Sequence, residues 1–440
     1  MQRDLQKYLL DWKTNFNRLP LLLRGARQVG KTYLIETFGR EAFKNCVTVN
    51  FEYRPEMAKC FTTLNPQEII NQLRLVTGES ITAGETLLFL DEIQDCPNAI
   101  LAMRYFKEKL PEQHIIGAGS LLEFALQEEQ FRMPVGRVQF AYLKPLSFKE
   151  FLAAIGKTQL REYIEQISAR DEIPEVIHSE LLSHLRKYLI LGGMPAVLQV
   201  YLQSGDFAQC QQQQGVILNG YRHDFGKYAT KTAYKNLQEA FGKLPVLIGQ
   251  PIKYVNIDRE LRARDIKQVL NSLAAAGLLH LVYANKAAGI PLVALKDEKK
   301  FKLIFLDIGL VKYAMQLKAE LLLAEDLLLV NQGAITEQFV GQELLAYADP
   351  FREAELFFWH REAQGSQAEV DFVIQVNGQI IPIEVKSGVT GRLKSLRLFM
   401  QEKKSRLGVR VSQLPLSLAD DILSIPLYLV SEIPRLVQSS

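Results

Sequence analysis

The 440-residue sequence predicts an α/β protein. A parallel sheet comes first, then a helical lid, a winged-helix module and a second, C-terminal α/β unit. Three observations carry this. Residues 21–142 alternate short apolar strands with helical stretches. A glycine-rich loop, Gly25-Ala26-Arg27-Gln28-Val29-Gly30-Lys31-Thr32, follows the first strand directly. Far downstream, Glu369–Lys386 reads as two alternating strands joined by Asn377-Gly378, a strong hairpin turn.

Strand candidates in the first unit are Leu21–Leu23, Val47–Phe51, Leu87–Asp91, Ile115–Ala118 and Val138–Tyr142. Helical stretches between them favour parallel pairing, with the ligand at the carboxyl ends of the strands. The loop after the first strand has the G-x-x-x-x-G-K-[ST] spacing of a phosphate loop. Residues Gly25, Ala26, Arg27, Gln28, Val29 and Gly30 let backbone N–H groups point at phosphate oxygens, and the helix dipole behind them adds positive potential. Lys31 is placed to reach the β- and γ-phosphates, and the Thr32 hydroxyl to ligate Mg²⁺. The expected ligand is therefore ATP or another nucleotide with Mg²⁺.

Leu87-Leu88-Phe89-Leu90-Asp91-Glu92 is an apolar strand delivering two carboxylates to its open end. Asp91 is expected to hold Mg²⁺, and Glu92 to orient or deprotonate the attacking water. Ser120, at the end of the next strand, is a candidate for sensing the γ-phosphate, or caps the helix that follows. Arg137, in Pro134-Val135-Gly136-Arg137, is a candidate arginine finger acting in cis or on a neighbouring copy. Arg24 and Arg27 flank the loop as weaker candidates for nucleotide or subunit contacts.

Composition narrows the class. Apolar residues make up 48% and charged residues 23%, as in a folded soluble chain. The polar N-terminus lacks a secretory pattern, and no uncharged run approaches membrane-spanning length. Cys46, Cys60, Cys96 and Cys210 have no C-x-x-C spacing and read as reduced thiols. A cytoplasmic location with no membrane partner is the expectation. Net charge is only +3, but residues 227–302 carry 14 basic and 6 acidic residues. Residues 331–440 carry 11 basic and 13 acidic, with a second basic run over Arg392–Arg410.

The expected divisions are 1–143 for the nucleotide-binding core, 144–225 for a helical lid or connector, 226–330 for the winged helix and 331–440 for the last unit. Gly192-Gly193-Met194-Pro195 interrupts the helical second segment. In the third, Arg264–Leu273 is amphipathic and basic and precedes two β-type runs. Such a helix can enter a DNA major groove, although it shows no base-reading pattern and equally serves as a solvated face between domains.

In the hairpin, a register set by Asn377-Gly378 pairs Val376 with Gln379, Asp371 with Glu384 and Glu369 with Lys386. Alternation puts these four charged side chains on one face. Like charges opposite one another are destabilising unless offset, and a divalent cation, Mg²⁺ or Mn²⁺, is the expected offset. Lys386 would then orient a water or stabilise developing charge, and Glu337 on an upstream helix would supply a further acid. Asp, about a dozen residues, then Glu-x-Lys is the core pattern of PD-(D/E)xK nucleases, and the basic run follows where a phosphate backbone would lie.

The ordered set RGARQVGKT, LLFLDEIQ, PVGR, PLSFKEF, GGMP, FLDIGL, EQFVGQELLA, EVDFV and IPIEVKSG resembles bacterial and archaeal AAA-type ATPases that carry a C-terminal domain of unknown function with a restriction-endonuclease-like fold. The resemblance spans nearly the whole chain. It implies nucleotide motifs at Lys31, Thr32, Asp91 and Glu92 and nuclease motifs at Asp371, Glu384 and Lys386. Ser120 departs from the Asn common at the sensor position, and no second sensor arginine stands out in the lid. The expected function is Mg²⁺-dependent ATP hydrolysis coupled to DNA binding or cleavage, with a homo-oligomer possible. The alternative is an ATP-driven switch whose nuclease-like unit binds a partner without cutting.

Overall fold

The computed structural model describes all residues except 121, 123, 125–135, 228–230, 258–260, 318–331, 362–367, 388–392 and 440. Pro134, Val135, Arg392, the 330/331 division and most of the helix expected after Ser120 lie outside the described residues.

The first unit is a five-stranded parallel sheet. Its strands are β1 (Leu21–Arg24), β2 (Asn45–Asn50), β3 (Thr86–Asp91), β4 (His114–Ala118) and β5 (Gln139–Tyr142), in the order β2-β3-β4-β1-β5. All five lie within two residues of the expected strands. All six residues of β3 are buried, as a nearly continuous apolar run between two neighbours requires. Alternation along β1 divides the core: Leu21 and Leu23 pack on one side of the sheet and Leu22 on the other.

Helices α1 (Leu5–Thr14), α2 (Lys31–Ala42), α3 (Pro66–Thr77) and α4 (Pro97–Lys109) flank this sheet. Local chemistry fixes their ends. Asn65 accepts from the Gln67 N–H, Pro66 opens α3, and Gly78 closes it in the left-handed conformation.

The connector is helical as expected: α5 (Phe148–Ala154), α6 (Thr158–Gln166), α7 (Glu175–Leu191), α8 (Pro195–Ser204) and α9 (Phe207–Asp224). Ser147 and Glu150 form a reciprocal capping box on α5. The next segment runs through α10 (Lys231–Lys243), α11 (Ala263–Ala275) and the antiparallel pair β6 (Leu279–Asn285) and β7 (Lys296–Phe305). Ile266, Val269, Leu270 and Leu273 bury one face of α11, leaving Arg264, Lys267, Gln268 and Asn271 exposed.

The later part differs from the expected division. Strand β6 also pairs in parallel with β8 (Leu356–His360). The hairpin therefore lies at the centre of an eight-stranded mixed sheet, ordered β12-β13-β11-β10-β9-β8-β6-β7. Its other strands are β9 (Glu369–Val376), β10 (Gln379–Val385), β11 (Gly408–Ser412), β12 (Ser417–Ala419) and β13 (Ile422–Pro426). Helices α12 (Ile308–Ala314), α13 (Gln332–Ala346), α14 (Lys394–Lys403) and α15 (Ile433–Gln438) complete the unit.

One apolar core runs from Leu21 and Phe38 through the connector to Phe372 and Val409. The expected divisions therefore do not mark separate cores. Polar bonds reinforce the continuity. The Asp307 carboxylate accepts from the Gly193 N–H at 2.6 Å and from the Leu310 N–H at 3.1 Å, joining the end of α7 to the start of α12. Gly192 has φ 74°, and a Cβ there would collide with this carboxylate.

Glu343 of α13 accepts from the Phe148 N–H at 3.0 Å, capping α5 from the far end of the chain. Burial, partly opposed by the Phe148 N–H, raises its pKa to about 8. A carboxyl raised in the folded state favours the protonated fold. Its stabilisation is full below the unfolded value of 4.5 and is lost as pH rises through about 8. Relative to Glu343→Gln, the native protein should therefore lose stability between about pH 5 and pH 8, measured by denaturant unfolding across that range.

Candidate functional site

The phosphate loop joins β1 to α2 at the carboxyl edge of the parallel sheet. It needs three left-handed or otherwise positive backbone angles: φ 150° at Gly25, 65° at Gln28 and 94° at Gly30. Two of the three fall on glycine, as loop chemistry requires. Lys31 is the first residue of α2, and its Nζ donates to the carbonyls of Gly25 at 2.8 Å and Ala26 at 2.9 Å. The ammonium thus spans the mouth of the loop.

Burial lowers the Lys31 pKa to about 8, with Glu92 and Asp91 opposing the shift. Nucleotide phosphates add negative charge beside Lys31 and restore its proton. ATP binding should therefore take up protons above about pH 8, and affinity should fall as pH rises past that value. Calorimetry at pH 8.5 in two buffers of different ionisation enthalpy measures the uptake, which should vanish at pH 6.5, where Lys31 is already protonated.

Asp91 ends β3, where parallel register places it beside Asn50 of β2. Its Oδ2 accepts from Thr32 Oγ1 at 3.0 Å and from Asn50 Nδ2 at 3.0 Å. Burial and the neighbouring Glu92 raise its pKa. A hydroxyl and a carboxylate oxygen in direct contact are the hard donors that Mg²⁺ takes, so Thr32 and Asp91 fit that ion.

Glu92 follows in the left-handed conformation, φ 49°. Its Oε2 accepts from Gln94 Nε2 at 2.8 Å and, more weakly, from Ser120 Oγ at 3.4 Å. The structure thus gathers Lys31, Thr32, Asp91, Glu92 and Ser120 at one edge. Sequence reasoning missed Asn50 and Gln94. Asn50 was recoverable as the last residue of the strand beside β3; Gln94 had no signal beyond its position two residues after Glu92.

Arg137 requires a correction. It precedes β5 and so lies at the amino end of a parallel strand, opposite the edge that carries the loop. Its Nε pairs with Glu108 Oε1 at 3.1 Å. Topology therefore rules out a finger role in cis. Arg27 pairs with Asp224 at 2.7 Å and Glu52 at 3.3 Å. The Arg24 guanidinium stacks 3.7 Å over the Phe140 ring.

Segments from before and after the parallel sheet's first strand seat directly on the loop. Arg3 Nη1 donates to the Val29 carbonyl at 2.9 Å, and Tyr221 Oη of α9 donates to the Arg27 carbonyl at 2.8 Å. Gly277, after α11, approaches so closely that a Cβ would sit 3.2 Å from the Ala26 nitrogen.

The second candidate site is the β9–β10 hairpin. Its register is the expected one: Val376 pairs with Gln379, and Phe372 with Ile383. The Val385 N–H donates to Asp371 Oδ2 at 2.8 Å, and Lys386 Nζ lies 2.6 Å from Glu384 Oε1. Glu337 of α13 is buried against the same face.

Two expectations fail here. Glu369 pairs with a lysine that sequence reasoning missed, while Lys386 pairs with Glu384, so that other lysine supplies the offsetting cation. Lys302 Nζ of β7 lies 2.6 Å from Glu369, 2.8 Å from Glu337 and 3.5 Å from Asp371. Its side chain is 1% exposed. Burial pulls its pKa down, but Glu337, Asp371 and Glu369 outweigh that and raise it. Burial, helped by Asp371 and opposed by Lys386, raises Glu384 to about 7. Among the described residues no group of three or more His, Cys, Asp or Glu is placed to hold a metal ion. Of the acids expected to hold a metal, Glu337 and Asp371 instead face the Lys302 ammonium, and Glu384 faces Lys386. The basic stretch from Lys394 is partly neutralised, Arg397 by Asp420 at 3.4 Å.

Together the sheet order, the loop and the Thr32–Asp91 contact define a P-loop nucleotide-binding domain. More specifically, residues 17–152 match the family described as "AAA domain", so the amino-terminal part is an AAA-type P-loop ATPase domain. Residues 182–321 and 332–429 match two families described only as domains of unknown function, DUF8612 and DUF4143. No curated protein matches the chain. Among solved structures it is similar to the Walker-type ATPase PABY2304 of Pyrococcus abyssi, at 15% identity and TM-score 0.46, covering 71% of this chain and 95% of that one. It is also similar to the RuvB Holliday junction branch migration motor of Thermotoga maritima, at 15% identity and TM-score 0.29, covering 63% and 89%. For PCH-2 of C. elegans the values are 14%, 0.28, 47% and 64%. No helix among the described residues is long and apolar enough to cross a membrane.

Proposed function

We propose that this chain is a Mg²⁺-dependent ATPase that uses nucleotide as a switch on its own C-terminal unit. One observation carries the reading: the phosphate loop is held from outside its own domain. Tyr221 bonds the Arg27 carbonyl, and Gly277 lies against Ala26. Loop backbone that turns toward phosphate oxygens must shift against α9 and the segment leading into β6.

In the hydrolytic step, Lys31 leaves the Gly25 and Ala26 carbonyls for the β- and γ-phosphates. Thr32 and Asp91 would hold Mg²⁺, which would supply neutralisation of phosphate charge. Glu92, released from Gln94 and Ser120, accepts a hydrogen bond from the attacking water and orients it in line. Lys31→Ala should abolish ATP binding and turnover. Unchanged binding and turnover in that variant would sink the proposal.

A second reading, DNA cleavage by the C-terminal unit, draws support from Asp371, Glu384 and Lys386 sharing one face of the hairpin. The exposed Arg264 and Lys267 of α11 would contact the phosphate backbone. On this reading Asp371→Ala abolishes Mn²⁺-dependent DNA degradation. A native protein that degrades no DNA, and binds none in a salt-dependent way, leaves the switch alone.

A further inference from the structure

We infer that Lys302 is an internal counter-cation that occupies the C-terminal carboxylate cluster in place of a divalent metal, so the site is held silent by the chain itself. This deepens the switch reading and rests on it only for what moves Lys302. The occupancy stands on geometry alone.

Three acids converge on one ammonium: Glu369 at 2.6 Å, Glu337 at 2.8 Å and Asp371 at 3.5 Å. They come from β9 and α13, whereas Lys302 comes from β7. The ammonium is also 5.2 Å from the Phe358 ring centroid, on its apolar side. Lys386 pairs with Glu384 Oε1, while Glu384 Oε2 is buried with no hydrogen-bond partner. An unpartnered buried carboxylate oxygen near the Asp371 carboxylate has donor capacity left over. The lysine stands on Glu337, Glu369 and Asp371, and its buried positive charge offsets theirs and repels a divalent cation from the same acids.

The lysine is also linked to the nucleotide site. The Leu306 N–H, four residues beyond Lys302, donates to the Leu278 carbonyl at 2.9 Å, next to the Gly277 that abuts Ala26. A shift of the phosphate loop therefore reaches β7 through a single turn of chain.

Mn²⁺ binding to the nucleotide-free full-length protein, followed by electron paramagnetic resonance, tests the occupancy. The native protein should show no Mn²⁺ site that Asp371→Asn removes. Lys302→Met, similar in length but uncharged, should gain one, and adding Asp371→Asn should remove it. An Asp371-dependent Mn²⁺ site in the native protein overturns the inference. So does a folded Lys302→Met that gains no site. If Lys302→Met fails to fold, Glu369→Gln provides a second test, because it loosens Lys302 from its nearest acid without removing Glu337, Asp371 or Glu384. That variant must then show an Asp371-dependent Mn²⁺ site that the native protein lacks, and its absence overturns the inference. Loss of ATP turnover in Lys31→Ala bears on the switch alone, so the two can fail separately.

Discussion

Glu92→Gln lowers ATP turnover by roughly 10²–10⁴-fold, the usual contribution of a positioned general base, while ATP binding is retained. The split follows from the geometry. On the proposed reading Lys31, the loop backbone and the Thr32–Asp91 pair make the binding contacts, and the substitution touches none of them. Glu92 is held apart by Gln94 at 2.8 Å, and the amide of a glutamine at position 92 can keep a bond there but cannot take a proton from water. Single-turnover hydrolysis and equilibrium nucleotide binding on the same preparation measure both halves. A variant that loses affinity in step with turnover would assign Glu92 to binding instead.

Lys302→Ala destabilises the fold by about 3–5 kcal/mol, the cost of breaking a buried charge pair from one side. Glu337 then stays buried without its cation, with Asp371 and Glu369 repelling it. Glu369 is 28% exposed and adds less. The loss is largest above about pH 7, where Glu337 is ionised, and shrinks as acid protonates Glu337. Lys267→Ala provides the contrast, since its pair with Glu298 is exposed at 3.8 Å and its removal should change stability by less than about 0.5 kcal/mol. Urea unfolding of both variants settles the comparison.

Much of the first unit could be read from sequence because its signals are local. Four apolar residues before Asp91 define a central strand, and the Gly25–Thr32 spacing fixes the loop whatever lies around it. The hairpin register was equally local, set by Asn377-Gly378. Lys302 was not legible for the opposite reason. It sits in the run Lys299-Lys300-Phe301-Lys302, which reads as a charged stretch with one apolar residue. Only the pairing of β6 with both β7 and β8 turns Lys302 inward while Lys299 remains exposed. The same parallel pairing joined two units that composition had separated. Arg137 failed as a cis finger because a loop motif does not reveal which end of the sheet it occupies. Register with Pro20 and Leu21 reveals it.

Amide hydrogen exchange of the Glu92→Gln protein, with and without Mg²⁺-ATP, tests the coupling most directly. Nucleotide should alter exchange in the loop and also in β7 (Lys296–Phe305) and α13 (Gln332–Ala346), the elements that bring Lys302 and Glu337 together. Changes confined to the parallel sheet and its helices would contradict a switch acting on the C-terminal unit.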